Sequence, residues 1–232
     1  MDAKKVRDTL KRVWDFIWND NSVWSWVVNI ILAFVLIKFV IYPALGFALQ
    51  TTHPIVAVVS GSMEHRTVHP CLLSDPFNAA RCIQVDKSAY EICGKVFSSR
   101  QDVNFDFFWD ACGAWYIGNN VTKSEFKDMS FVNGFNKGDI MVLYGTKPKD
   151  IRVGDIIVFN GYMQEPIIHR VVKVTERDGI FYFQTKGDHN GVSYSFEADI
   201  PESRYIGRAV ARIPWLGYVK ILAVDFINLL VR

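Results

Sequence analysis

The 232-residue chain lacks a glycine-rich phosphate loop and a His-Glu-x-x-His pair, so neither nucleotide binding nor zinc-protease chemistry has a motif to rest on. Charge of one sign is also missing. Its 26 Lys and Arg stand against 24 Asp and Glu, and a net charge of +2 offers no strong field for nucleic acid. Half of the residues are apolar, which is too many for disorder, and 22% are charged, which is too many for a polytopic membrane protein. Close Cys-x-x-Cys pairs are absent. The four cysteines, Cys71, Cys82, Cys93 and Cys112, are separated by ten, ten and eighteen residues. Structural zinc sites draw on closer pairs, so no metal is expected. Two disulfides in an oxidising compartment are the reading, with three connectivities open; the alternative is four reduced, buried cysteines.

What the chain has instead is a basic start and a long apolar run. Lys4, Lys5, Arg7, Lys11 and Arg12 fall in residues 1–22, with Val6, Leu10, Val13, Trp14 and Ile17 at helical spacing and Trp18 nearby. This is the pattern of an amphipathic helix on a membrane surface. Residues 23–50 are almost wholly apolar and exceed the roughly 20 residues that span a hydrocarbon core. Trp24, Trp26 and Tyr42 suit the interfaces, and Asn29 and Lys38 are the unfavourable residues before Pro43. The run is too long, and starts too late, for a cleavable signal peptide. Arg66 is the only Lys or Arg in residues 51–70, so the positive-inside rule puts the N-terminus in the cytoplasm and the rest outside. The Asn120-Val121-Thr122 triplet, a glycosylation acceptor pattern at Asn120, agrees with that side.

Residues 51–212 read as one mainly β domain. Val56–Val59, Ile140–Leu143, Ile156–Phe159, Ile167–Val174 and Ile180–Thr185 are short runs rich in β-branched and aromatic residues, two of them after Gly-Asp turns. Residues 71–134 hold all the cysteines, have few regular periods, and read as a disulfide-stapled insertion. Residues 213–232 are apolar again, but Lys220 and Asp225 leave open whether they span a membrane, lie on it, or pack on the core.

Three stretches carry chemistry: Ser60-Gly61-Ser62-Met63-Glu64, Pro166-Ile167-Ile168-His169-Arg170-Val171-Val172, and Thr185-Lys186-Gly187-Asp188-His189-Asn190. They offer a hydroxyl, an imidazole and a carboxylate. A serine hydroxyl needs a base to take its proton, and histidine titrates near neutrality. A carboxylate fixes the imidazole tautomer. Taken singly, Ser62 suits a turn, His169 a core histidine, and Asp188 a turn.

Together these stretches resemble type I signal peptidases. Ser-Gly-Ser-Met-Glu after an apolar run is similar to the family's nucleophile motif. Pro-Ile-Ile-His-Arg-Val-Val is similar to the branch of the endoplasmic reticulum and archaea, where histidine replaces the bacterial lysine, and Thr-Lys-Gly-Asp-His-Asn resembles that branch's acidic motif. Ile213-Pro214-Trp215-Leu216-Gly217-Tyr218 resembles archaeal tails. The resemblance covers residues 23–69 and 135–232, not 71–134. It implies a β-rich catalytic domain and a membrane-anchored serine endopeptidase without metal or organic cofactor. It further implies Ser62 as nucleophile, His169 as base, and Ser60 with the Ser62 N–H as oxyanion hole. Many relatives place the acid six residues beyond the Gly-Asp aspartate, where this chain has Tyr194; Asp188 is therefore the expected acid and Asp199 the reserve.

Signal peptides, the bilayer and the secretion channel are the implied partners, with small residues at the first and third positions before the cut. Twelve steps from Gln50 to Ser62 span at most about 40 Å, keeping Ser62 near the outer membrane face. One span is expected in the cell membrane, or two if residues 213–232 also cross. The rival readings are a catalytically inactive membrane-anchored binding ectodomain on the same fold, favoured by Tyr194, and a self-cleaving regulator, which would use lysine as its base.

Overall fold

The structure, a computed structural model, describes residues 3–74, 82–161, 166–219 and 221–222. The chain divides into two compact units, Met1–Ala48 and Leu49–Arg232.

The first unit is helical: α1 (Ala3–Trp18), α2 (Val23–Leu36), a single π turn (Ile37–Ile41) and α3 (Tyr42–Ala48). Val6, Leu10, Val13, Trp14 and Trp18 of α1 are exposed. Ser22 caps α2, its hydroxyl accepting the Ser25 N–H at 3.2 Å. Asn29 is less unfavourable than its place in the apolar run suggests. Its Nδ2 donates to Ile17 O at 2.9 Å, and Ser25 Oγ donates to Phe16 O at 2.6 Å. Both fill carbonyls at the end of α1 that would otherwise lack partners. Lys38 holds its ammonium 5.7 and 5.5 Å from the rings of Phe34 and Phe39. Among the described residues, Val23–Ala48 is the stretch long and apolar enough to cross a membrane, and Ser25 is its one buried residue.

The second unit is built on strands β1 (Ile55–Ala57), β2 (Cys71–Ser74), β3 (Cys82–Val85), β4 (Tyr90–Ile92) and β5 (Lys95–Phe97), then helices α4 (Phe105–Gly118) and α5 (Lys123–Lys127). It continues through β6 (Ile140–Tyr144), β7 (Ile156–Phe159), β8 (Ile167–Arg177), β9 (Ile180–Lys186), β10 (Ile200–Pro201) and β11 (Tyr205–Ile213). Seven strands form one sheet in the order β1-β6-β11-β7-β8-β9-β10, every pairing antiparallel.

Central strand β7 is buried at all four positions. Alternate side chains of a strand point to opposite faces. Ile156 and Val158 join Val58, Met63, Phe135, Met141 and Leu143 in one core, while Ile157 and Phe159 join Ile151, Val171 and Phe183 in another. A strand covered on both faces reads as a continuous apolar run, which is why Ile156–Phe159 was legible in sequence. The five expected strands are present. Strand β11 was not expected, because its last four residues are exposed and Arg208 and Arg212 interrupt its apolar residues.

The expectation of a mainly β chain is corrected to a mixed one, with 35% helix against 28% strand among the described residues. Part of that difference lies in residues 71–134, which carry two short hairpins and two helices. Helix α4 gave no helical period because its sequence, FDFFWDACGAWYIG, is apolar on nearly every side. Its N-cap was readable: Asn104 Oδ1 accepts the Phe107 N–H at 2.9 Å. Thr122 and Glu125 form a capping box at α5.

Two disulfides resolve the open connectivity as Cys71–Cys82 and Cys93–Cys112. The first joins β2 to β3, and the second joins the β4–β5 turn to α4. Asn120, the sequon residue, is exposed in the turn after α4. Of the apolar segment 213–232, residues 220 and 223–232 lie outside the described residues; Trp215, Leu216, Val219 and Leu222 are exposed.

Phe126 organises the aromatic cluster of the insertion. It is fully buried and lies 5.6, 5.6 and 4.8 Å from the rings of Phe108, Trp109 and Tyr116. Phe126→Ala should cost about 3–5 kcal/mol of stability, the usual range for emptying such a site, read by denaturant unfolding of the chain in detergent.

Candidate active site

Ser62 sits in the turn that follows β1, where the Glu64 N–H closes back on Gly61 O at 3.0 Å. Its backbone is held from outside the turn: the His189 N–H donates to Ser62 O at 2.9 Å, and the Phe135 N–H donates to Met63 O at 3.1 Å. Glu64, buried, accepts Arg66 Nε at 2.6 Å, Arg66 Nη2 at 2.9 Å and the Lys137 N–H at 2.9 Å, which fixes the far end of the motif.

His169 and Arg170 are neighbours on β8, opposite Ile157 and Ile156 of β7, so they leave opposite faces of the sheet. The His169 ring is 5% exposed, with Nε2 2.9 Å from Ser62 Oγ. Its Nδ1 lies 2.5 Å from Glu197 Oε2. A carboxylate can only accept, so this contact places a proton on Nδ1 and leaves the Nε2 lone pair facing the Ser62 hydroxyl. Ser60 Oγ lies 3.2 Å from Ser62 Oγ, on the same small surface.

Glu197 was not among the expected residues. It is fully buried in a short 3₁₀ turn, Ser195–Glu197. Beyond His169 it accepts the Thr185 hydroxyl at 2.9 Å and the Tyr194 N–H at 3.0 Å. Three donors make a buried carboxylate tolerable. Tyr194 therefore contributes its backbone rather than an acid, and the carboxylate arrives three residues later. A glutamate three residues past a turn-forming start is the sequence signal for it.

Asp188, the carboxylate expected beside His169, makes its side-chain contacts with other residues. It is fully buried and accepts Arg170 Nε at 2.8 Å, Arg170 Nη2 at 2.7 Å and the Tyr116 hydroxyl at 2.9 Å, with His65 Nε2 at 3.0 Å. Burial alone would raise its carboxyl pKa, but the Arg170 guanidinium and the His65 contact more than offset that and hold it well below the usual carboxylate range. The reserve, Asp199, is half exposed and pairs with Arg177. His189 is no rival base for Ser62: its Nδ1 contacts Glu64 O at 3.1 Å, and burial lowers its pKa.

Arg170 uses all five of its N–H donors: two on Asp188, and the others on Ser130 O at 2.7 Å, Gly154 O at 3.1 Å and Phe131 O at 3.1 Å. Lys186 is also fully buried. Its Nζ donates to Gly187 O at 3.0 Å and Asp188 O at 3.3 Å, and burial brings its pKa down to about 8.

Between Lys186 and Asp188, Gly187 has a steric reason. A Cβ there would lie 2.8 Å from Ser62 O and 2.9 Å from His169 Nε2. The motif that supplies Asp188 thus packs its backbone directly against the serine and the imidazole.

No protein-family model matches the chain. The chain is a distant homologue of signal peptidase catalytic subunits. It is 35% identical over 99 residues to the signal peptidase complex catalytic subunits SEC11C of Homo sapiens and Canis lupus familiaris, 40% of this chain and 52% of each relative. It is 34% identical over 95 residues to the signal peptidase complex catalytic subunit SEC11 of Pyricularia oryzae, 38% of this chain and 55% of the relative. The chain spans about half the length of the curated relatives it matches.

Asp188→Asn should lower stability by about 3–5 kcal/mol at neutral pH, because it leaves Arg170 buried without its counter-charge. The pH dependence has a definite sign. The folded pKa lies below the unfolded value of 3.8, so the stabilisation is complete above about pH 4 and is lost as pH falls further. Urea midpoints measured between pH 3 and 7 should slope less for Asp188→Asn than for the parent chain.

Proposed function

We propose that the chain is a membrane-anchored serine endopeptidase that removes signal peptides from secreted preproteins. The observation that carries the reading is the continuous contact chain from Ser62 Oγ through His169 to Glu197, at 2.9 and 2.5 Å. The homology to signal peptidase catalytic subunits supports the substrate class, and the Val23–Ala48 helix supports the anchor.

In this reading the Ser62 O–H proton passes to His169 Nε2 as Oγ attacks the scissile carbonyl. The imidazolium that forms is stabilised and held in orientation by Glu197 through Nδ1–H. The carbonyl oxygen becomes an oxyanion, for which the Ser60 hydroxyl and the Ser62 N–H are the candidate donors; loss of one such donor typically costs about 2.7–4 kcal/mol of transition-state stabilisation. His169 then returns the proton to the leaving amine as the C–N bond breaks. Water, deprotonated by the same imidazole, releases the acyl group and regenerates Ser62. Each step uses groups of this chain and water.

The acid of the triad is proposed to be Glu197 in place of Asp188. Nucleophile and base remain as read from sequence. The N-terminus is placed in the cytoplasm and the catalytic unit outside, where the two disulfides and an exposed Asn120 suit an oxidising, glycosylating compartment.

Membranes carrying Ser62→Ala or His169→Ala as the sole copy should fail to cleave a preprotein that the parent chain cleaves. Glu197→Gln keeps the shape but loses the charge, and turnover should fall by about four orders of magnitude, as when an orienting carboxylate is amidated. Undiminished cleavage by Ser62→Ala would overturn the enzymatic reading and leave the binding-ectodomain alternative standing.

A further inference from the structure

The insertion of residues 71–134 is not a separate appendage on the sheet. Its two halves grip the segment Gly187–His189, the backbone that touches both Ser62 and His169. From one side, the Cys93 N–H donates to His189 O at 2.9 Å, and the Cys93 sulfur lies 3.2 Å from Asp188 O. From the other, the hydroxyl of Tyr116 on α4 donates to Asp188 Oδ1 at 2.9 Å. The Cys93–Cys112 disulfide ties these two grips together.

Each grip is built for its place. Cys93 and Gly94 both have positive φ, 53° and 74°, which is the backbone of a tight hairpin turn. That turn aims the Cys93 N–H out of the hairpin and at the catalytic segment. Tyr116 is fully buried, one helical turn from Cys112, and burial beside Asp188 pushes its hydroxyl well above the ordinary tyrosine value, so it stays protonated as a donor. Its ring also covers the Lys186 ammonium at 4.7 Å. Phe108 of the same helix stacks on His65 at 3.7 Å, and His65 is another contact of Asp188.

The segment held in this way has little room to move. The His189 N–H donates to Ser62 O, and Gly187 packs where even a methyl group would meet Ser62 O and His169 Nε2. A small displacement of residues 187–189 would therefore change the distance between hydroxyl and imidazole, to which proton transfer is sensitive.

We infer that the insertion is a brace for the catalytic segment: Tyr116 is a positioning residue for the Ser62–His169 pair, and the Cys93–Cys112 disulfide, by joining its helix to the β4–β5 turn, is what makes the brace rigid. The Cys71–Cys82 disulfide closes a different hairpin, joining β2 to β3. The inference rests on the proposed peptidase reading and assigns the insertion its part in that reaction.

The test uses the full chain in detergent micelles, with a preprotein substrate and kcat and KM measured well below each variant's unfolding transition. Tyr116→Phe keeps the ring over Lys186 and both disulfides but removes the donor to Asp188; kcat should fall at least fivefold with KM within twofold. Cys93→Ala with Cys112→Ala should lower kcat about tenfold, while Cys71→Ala with Cys82→Ala should leave it within twofold. The second pair controls for the general cost of losing a disulfide, and Tyr116→Phe carries the test if the first pair fails to fold. An unchanged kcat in Tyr116→Phe, or equal losses in the two cysteine pairs, would overturn the brace. Cleavage by the parent chain that persists in Ser62→Ala would instead overturn the peptidase reading, and the brace with it.

Discussion

Arg170 and Asp188 are oppositely charged and both fully buried, in a part of the protein lined by Phe126, Phe108 and Tyr116. Charges in such surroundings are tolerated only when every donor and acceptor has a partner. The pair meets that condition by drawing in structure from several directions. The guanidinium reaches carbonyls at Ser130, Phe131 and Gly154, and the carboxylate draws Tyr116 from α4 and His65 from the loop after Ser62. Strand β8, the segment Gly187–His189, helix α4 and the loop after Ser62 are thereby fixed to one centre. Because Arg170 immediately follows His169 on β8, anchoring the guanidinium on one face also sets where the imidazole emerges on the other.

That arrangement divides the work between two carboxylates. Asp188 has a strong cationic partner and a depressed pKa, and its bonds hold the architecture. Among the described residues no cationic side chain other than the His169 ring is hydrogen-bonded to Glu197; its partners are a hydroxyl, a backbone N–H and that ring. A carboxylate already neutralised by arginine would do little to stabilise an imidazolium, whereas one satisfied by neutral donors keeps its charge for that task. The split follows from the environments of the two residues.

Much of this was legible before any coordinates. Ser62 and His169 are expected as a pair because each stands beside a short apolar strand in a motif that resembles a known family, and the structure places them 2.9 Å apart; five strands are readable because β-branched runs buried on one or both faces leave a clear pattern. Other features had no local signature. Glu197 becomes a partner of His169 only through a 3₁₀ turn and the closeness of β8 to β9, which no spacing rule reports. Asp188 stands in a Gly-Asp pair that resembles an acidic motif, whereas its contacts come from Arg170, eighteen positions earlier, and from Tyr116. Helix α4 leaves little amphipathic period because its exposed face carries Ala114, Ile117 and Gly118 beside Asp106 and Asp110. The cysteine spacings left three pairings open, and only the hairpins and α4 select one.

The central claim is that the imidazole facing Ser62 is oriented by Glu197 and not by Asp188. It is tested most directly by the His169 Nδ1–H proton resonance, observed with ¹⁵N-labelled histidine in detergent micelles. A strongly downfield signal should be present in the parent chain, absent in Glu197→Gln and retained in Asp188→Asn wherever that variant is folded. A signal that survives in Glu197→Gln and vanishes in a folded Asp188→Asn would contradict the account and return the acid's role to Asp188.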